Sequence, residues 1–256
     1  MVDAAFSSVD KPSSVDMGMP QAPVDRSTVP PLTEQTRAEA REIVARYPRA
    51  RSALLPMLHL VQSVQGYVSP DGIALCAEEL ELTKAEVGAV ATFYTMYRRR
   101  PAGAYHIGVC TNTLCAVLGG DAIFASLKDH LGLKNNETSA DGTVSLEHIE
   151  CNAACDYAPV VMVNWEFYDD QTPQSARDLA DALKAGAPPA PTRGPARLST
   201  FKEVARVLAG FGDGLGQEGP AAGPASLAGL EIAKQRGDVA PAYPAPATPT
   251  PTDEES

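Results

Sequence analysis

Two pairs of cysteines carry the chemistry this sequence can offer. Cys110 and Cys115 have four residues between them in "HIGVCTNTLC", and Cys151 and Cys155 have three between them in "IECNAACDYAP". Each pair follows a run with the alternation of a strand, so if the two strands are neighbours in one sheet both turns leave at the same end. Four thiols then converge. A structural zinc ion wants four thiolates around one tetrahedral point, usually from knuckles with two residues between the cysteines. A binuclear iron-sulfur cluster spreads four thiolates over two irons, and wider loops suit that larger object. Disulfides or dithiol redox chemistry also match the count, although no C-x-x-C opens a helix. The spacing ranks iron-sulfur first, zinc second and thiol chemistry third.

Compartment enters that ranking. The N-terminus lacks the basic-then-apolar order of a signal peptide, and no apolar run reaches the roughly 20 residues that span a bilayer. The chain therefore reads as intracellular, where closely spaced cysteines more often bind metal or cycle redox state than form lasting crosslinks. A formal net charge of -11, with no basic cluster longer than Arg98, Arg99 and Arg100, argues against nucleic acid as a partner. Four histidines, His59, His106, His130 and His148, lie outside both cysteine turns and read as structural or surface residues. Glu150 and Asp156 flank the second pair and read first as solvated strand-edge residues, although close to a cluster their charge would oppose an added electron.

The elements that must position these residues fall into two blocks. In the first, four amphipathic helices are legible. One carries Ala40, Ile43, Val44 and Tyr47 on a face and ends at Pro48; the next carries Leu54, Leu55, Leu58 and Val61 and stops at Gly66. A third opens with Ser69 as cap and Pro70 as first residue, and stacks Ile73, Cys76, Ala77 and Leu80; this fifth cysteine reads as inert packing. The fourth begins with a capping box, Thr83 and Glu86, and aligns Val87, Val90, Ala91 and Tyr94. Its aromatic end, "TFYTMYRRRP", suits either core or a partner surface.

The second block changes period. Tyr105, Ile107 and Val109 alternate as a strand, Gly119 and Gly120 precede a helix with Ile123, Phe124, Leu127 and Leu131 on one face, and "TVSLEHIE" and "PVVMVNW" are two more strands. "EFYD" makes a fourth through a tight turn near Asn164, and a helix capped by Thr172 closes the unit. The fold class is α+β: a small helical bundle over residues 33–102, then a sheet-and-helix domain over 103–186. A polar leader, 1–32, and a Pro/Ala-rich tail, 187–256, flank them as disordered or extended termini. Two short helical candidates in the tail, around Phe201 and around Leu230, are too small to stand alone, and at least the first is expected to dock on the body of the chain or on a neighbouring subunit.

"SALLPMLHLVQSVQGYVSPDGI", "VATFYTMY", "YHIGVCTNTLC" and "IECNAACDYAPVVMVN" together resemble the E subunit family of NADH-quinone oxidoreductase, the respiratory complex I component with a thioredoxin-like [2Fe-2S] domain. The resemblance implies one cluster held by Cys110, Cys115, Cys151 and Cys155, the first pair on one iron and the second on the other. It implies an electron-transfer component of the respiratory complex that exchanges single electrons with FMN, on a partner subunit that also binds NADH. Other peripheral-arm subunits would be partners, with no direct membrane insertion and a cytoplasmic location against the inner face of the membrane. Diaphorase subunits of NAD-linked hydrogenases and formate dehydrogenases share these features, and a non-redox zinc-binding or structural module is the remaining alternative. The sequence departs from the family at one turn, since Asn152 and Ala153 stand where the family's Cys-Leu-Gly-x-Cys has leucine and glycine. Pro159 stands where thioredoxin-like folds often have a cis proline.

Overall fold

The alternation of apolar residues sets the element order of the computed structural model, which describes residues 24, 26–219 and 222–242. Most of the expected leader and the end of the tail lie outside the described residues. In chain order come α1 (Glu34–Val44), α2 (Leu54–Gln65), α3 (Pro70–Leu80), α4 (Lys84–Phe93), β1 (Tyr105–Cys110), α5 (Thr113–Val117) and α6 (Gly120–Leu131). Then follow β2 (Glu137–Thr138), β3 (Val144–Ile149), β4 (Val161–Val163), β5 (Glu166–Tyr168), α7 (Pro173–Lys184), α8 (Phe201–Leu208) and α9 (Pro224–Arg236). The chain divides into two units: residues up to Ala104 with Thr200–Gly212, and Tyr105–Ser199 with the segment from Asp213 onward.

The helical unit packs α1 to α4 around Ile43, Met57, Leu58, Leu60, Val61, Leu75, Cys76, Val87 and Ala91. Its start signals act as expected: Ser69 Oγ accepts the Gly72 amide at 2.9 Å, and Thr83 and Glu86 exchange bonds of 3.2 and 3.0 Å. Three side chains expected on inner faces are half exposed. The α1 helix unwinds ahead of Pro48, whose ring disfavours helical backbone in the preceding residue, so Tyr47 lies beyond its end. Leu55 sits a quarter-turn off the stripe of Leu54, Leu58 and Val61. Tyr94 adopts extended backbone as the α4 C-cap and leaves the helix face. Phe93 beside it is 78% exposed, so part of the aromatic end faces outward.

The helix α8 returns to this unit from far along the chain. Thr200 caps it, Phe201 is buried, Lys202 donates to the Val64 carbonyl at 2.9 Å, and Arg206 forms a two-pronged pair with Glu39 at 3.0 Å. The docking expected of the first tail helix is thus made within the chain.

In the second unit the sheet order is β2-β3-β1-β4-β5. The β1 and β3 strands run parallel, with Cys110 opposite Ile149, and every other pairing is antiparallel. The α6 and α7 helices pack on each other and cover β1 and β3. Ile107, Val109, Ile123, Leu127, Val144, Leu146, Leu179 and Leu183 fill the space between. The short edge strand β2 escaped the sequence reading, because two residues are too few to show a period. Asn164 and Trp165 turn β4 into β5 with φ of 50° and 69°.

Candidate metal centre

The parallel pairing of β1 with β3 decides where the cysteines go. Cys110 ends β1, Cys151 lies two residues past the end of β3, and both turns leave the same end of the sheet. The antiparallel β4 starts at that end, and Val160 just before it accepts the Cys110 amide at 3.3 Å through its carbonyl. The Ala158-Pro159 bond just before it is cis. Three segments therefore meet: the 110–115 turn, the 151–155 turn and the 158–160 approach.

Within the first turn the cysteine positions differ from the expected loop. Asn112 stands at the N-cap position of α5 without a side-chain capping bond, and Cys115 lies on that helix, buried with Cys110 at 3% and 2% exposure. Cys151 and Cys155 are exposed. The backbone is tightly stacked: a Cβ on Gly120 would stand 2.4 Å from the Cys110 carbonyl oxygen and 3.0 Å from that of Cys115. Only glycine lets α6 start against this turn. Asn112 Nδ2 donates to Glu150 Oε2 at 2.9 Å, joining one cysteine turn to the other.

The thiols form two pairs, Cys110 with Cys115 and Cys151 with Cys155, each within hydrogen-bonding reach. Burial pushes the Cys115 thiol up to about 11, against a Val160 amide that favours its thiolate, and the nearby Cys110 and Cys155 sulfurs push the same way as burial. The hydrogen bond with Cys151 raises Cys155 foremost, followed by burial and the charges of Cys151, Cys110 and Asp156. Neighbouring sulfurs that raise the Cys115 and Cys155 thiols make this a site asking for positive charge. Among the described residues, no three His, Cys, Asp or Glu side chains gather around a single ion-sized point.

Donors to sulfur complete the surroundings. The Ala153 amide reaches Cys151 Sγ at 3.3 Å, with Ala153 in left-handed backbone at φ 54°. This is the position where the resemblance has glycine, and an alanine there carries about 1 kcal/mol of strain. Asn152 buries its Nδ2 without an acceptor in the protein. A binuclear iron-sulfur group fits these residues: the thiols come in twos, and amide donors stand ready for sulfur.

The histidines are elsewhere engaged. His106 Nε2 lies 2.9 Å from Glu147 and His130 Nε2 2.7 Å from Asp181, while His148 packs near Phe124. His59 is buried beside Tyr97, and burial lowers it to about 4. Burial also raises the Cys76 thiol to about 12, leaving an unreactive core residue as expected.

Sequence reasoning missed two parts of this site. The Asn112–Glu150 link joins residues 38 positions apart and has no local signature. Arg193 grips Asp156 from within a Pro/Ala-rich stretch, where composition hides a single side chain.

The fold and the paired thiols define a class, and comparison with known proteins agrees. Residues 40–184 match the model of the thioredoxin-like [2Fe-2S] ferredoxin family, and the chain belongs to that family. It is a homologue of the E subunit of NADH-quinone oxidoreductase: the proteins of that name from Mycobacterium bovis and Mycobacterium tuberculosis are 58% identical over 222 residues, 86% of this chain and 87% of theirs. The protein of that name from Rickettsia bellii is 40% identical over 148 residues, 57% of this chain and 89% of its own. Among solved structures, an NAD+-reducing [NiFe]-hydrogenase is similar over 53% of this chain and 23% of its own, at 21% identity and TM-score 0.48. Among the described residues, no helix is long and apolar enough to cross a membrane.

Proposed function

We propose that Cys110, Cys115, Cys151 and Cys155 hold one [2Fe-2S] cluster, with the first pair on one iron and the second on the other. The chain then serves as an electron-carrying subunit of NADH:quinone oxidoreductase, paired with a subunit that binds FMN and NADH. The observation that carries this reading is the pairing of thiols at one end of the sheet, where parallel β1 and β3 deliver both turns. When bound, such a cluster accepts and returns single electrons.

The residues of the chain have distinct tasks. The four thiolates would supply the ligands, and their mutual repulsion is what bound iron would relieve. The Val160 and Ala153 amides donate to Cys115 and Cys151, dispersing negative charge on sulfur. Gly120 lets the helix start press against the first turn, and Asn112 with Glu150 fixes the distance between turns. Cys110 and Cys115 keep one side dry, whereas the exposed Cys151 and Cys155 face outward, where an electron could pass to or from a neighbouring protein.

The chain carries no G-x-G-x-x-G between a strand and a helix, so hydride chemistry falls to the partner. We nominate no catalytic acid, base or nucleophile here. Other peripheral-arm subunits complete the assembly, which would hold the chain at the inner face of the cell membrane without inserting it. Identity of 58% across most of the chain favours this over the hydrogenase or formate dehydrogenase setting. Purifying the tagged full chain from its own cell tests the assignment. An FMN-containing subunit together with membrane subunits is the expected company, and a nickel-containing subunit in their place would overturn it.

A further inference from the structure

The segment beyond the family match, which ends at residue 184, turns back onto the second cysteine turn. Arg193 pairs with Phe167 as an isolated antiparallel bridge beside β5, and the neighbouring Thr192 amide donates to the Phe167 carbonyl at 2.9 Å. From there the Arg193 guanidinium forks onto Asp169 at 2.7 and 2.8 Å and reaches both carboxylate oxygens of Asp156 at 3.3 Å. The rings of Tyr157 and Phe167 lie 5.2 and 5.3 Å from its central carbon. The side chain is only 15% exposed, so its charge is weakly screened.

Asp156 directly follows Cys155, within the 3-10 turn Cys155–Tyr157. The same turn is held a second time by the later segment. Ser226 at the start of α9 hydrogen-bonds Asp156, and the Ala225 amide donates to the Tyr157 hydroxyl at 3.2 Å. Asp156 and Tyr157, the two residues after Cys155, are therefore gripped from outside the family segment.

We infer that Arg193 is a positioning residue for the Cys155 turn and that, by offsetting the Asp156 charge beside Cys155, it raises the reduction potential of the group the four thiols hold. The inference rests on the cluster assignment above. A carboxylate next to a cluster that already carries two negative charges opposes a third, and a largely buried guanidinium shared between that carboxylate and Asp169 offsets part of the opposition. Charge and position are separable, because Arg193→Lys keeps the charge and loses the fork, whereas Arg193→Met loses both.

The test is a redox titration of the full-length chain, followed by electron paramagnetic resonance, for the native protein, R193K, R193M, D156N and R193M/D156N. R193M is expected to disfavour the reduced form about tenfold, which is a fall of about 59 mV for a one-electron couple. R193K should stay nearer the native value, D156N should rise above it, and the double variant should recover most of the R193M loss. Unchanged midpoints in D156N and R193M would overturn the inference, as would a double variant as low as R193M. If R193M fails to hold the cluster, D156N decides alone: a raised midpoint supports the inference and an unchanged one overturns it. A native chain with no [2Fe-2S] signal would instead overturn the cluster assignment, and this inference with it.

Discussion

Gly120 shows how little freedom the cysteine turn has. A single methyl group there would meet two backbone carbonyls, those of Cys110 and Cys115, and backbone cannot step aside as a flexible side chain can. Gly120→Ala is expected to cost about 1–3 kcal/mol and to lower the iron retained by the purified chain, measured by urea unfolding and iron analysis. The sequence showed a Gly-Gly break before a helix but not its cause, which is a carbonyl arriving from another turn. His59 gives a second residue-level test. Its folded pKa, about 4, lies below the ordinary 6.5, so its neutral form is the one the fold favours. The stability it contributes is full above pH 6.5 and is lost as pH falls toward 4. His59→Leu should flatten the acid loss of stability between about pH 6.5 and 4.5, above the range where the Glu39 and Glu79 carboxylates, both held low by arginines, lose their charge. An acid profile identical to the native one would contradict the burial argument.

Elements were legible where they are long and periodic. The four N-terminal helices, β1, β3 and the closing helix α7 appear in the sequence through stripes and caps, and the structure keeps the caps at Ser69, Thr83 and Thr172. Helix ends were less readable, as Tyr47 and Tyr94 show, because the last turn answers to backbone strain and not to the stripe. The α8 helix was visible as an amphipathic segment, yet nothing local said what it would cover. Its Phe201 is 1% exposed, so Phe201→Ala should destabilise the helical unit by about 3–5 kcal/mol, read as a lower unfolding midpoint. A change below about 1 kcal/mol would mean that the α8 packing contributes little.

At the scale of the whole molecule, four cysteines were legible as a set because two strand-turn signals repeat, and pairing of β1 with β3 turns that repetition into proximity. What the sequence could not show is the support: a glycine under the turn, an asparagine across it, and an arginine from beyond the family segment. The asparagine and arginine contacts span 38 and 37 positions, beyond any window of local sequence, and the glycine contact depends on a turn geometry that composition does not show. Two units also mean that bound metal need not stabilise the whole chain. Ligand binding stabilises the folded form that holds it, so chelation should lower the unfolding temperature of the sheet unit while the helical unit is nearly unaffected. One joint transition, shifted as a whole by chelation, would contradict this.

The central claim is most directly tested by assaying iron and acid-labile sulfide in the anaerobically purified full-length chain, beside Cys110→Ser. The account predicts two irons and two sulfides per native chain, a paramagnetic signal on reduction, and loss of that signal in the variant. One zinc ion per chain, or an unchanged signal in Cys110→Ser, would contradict it.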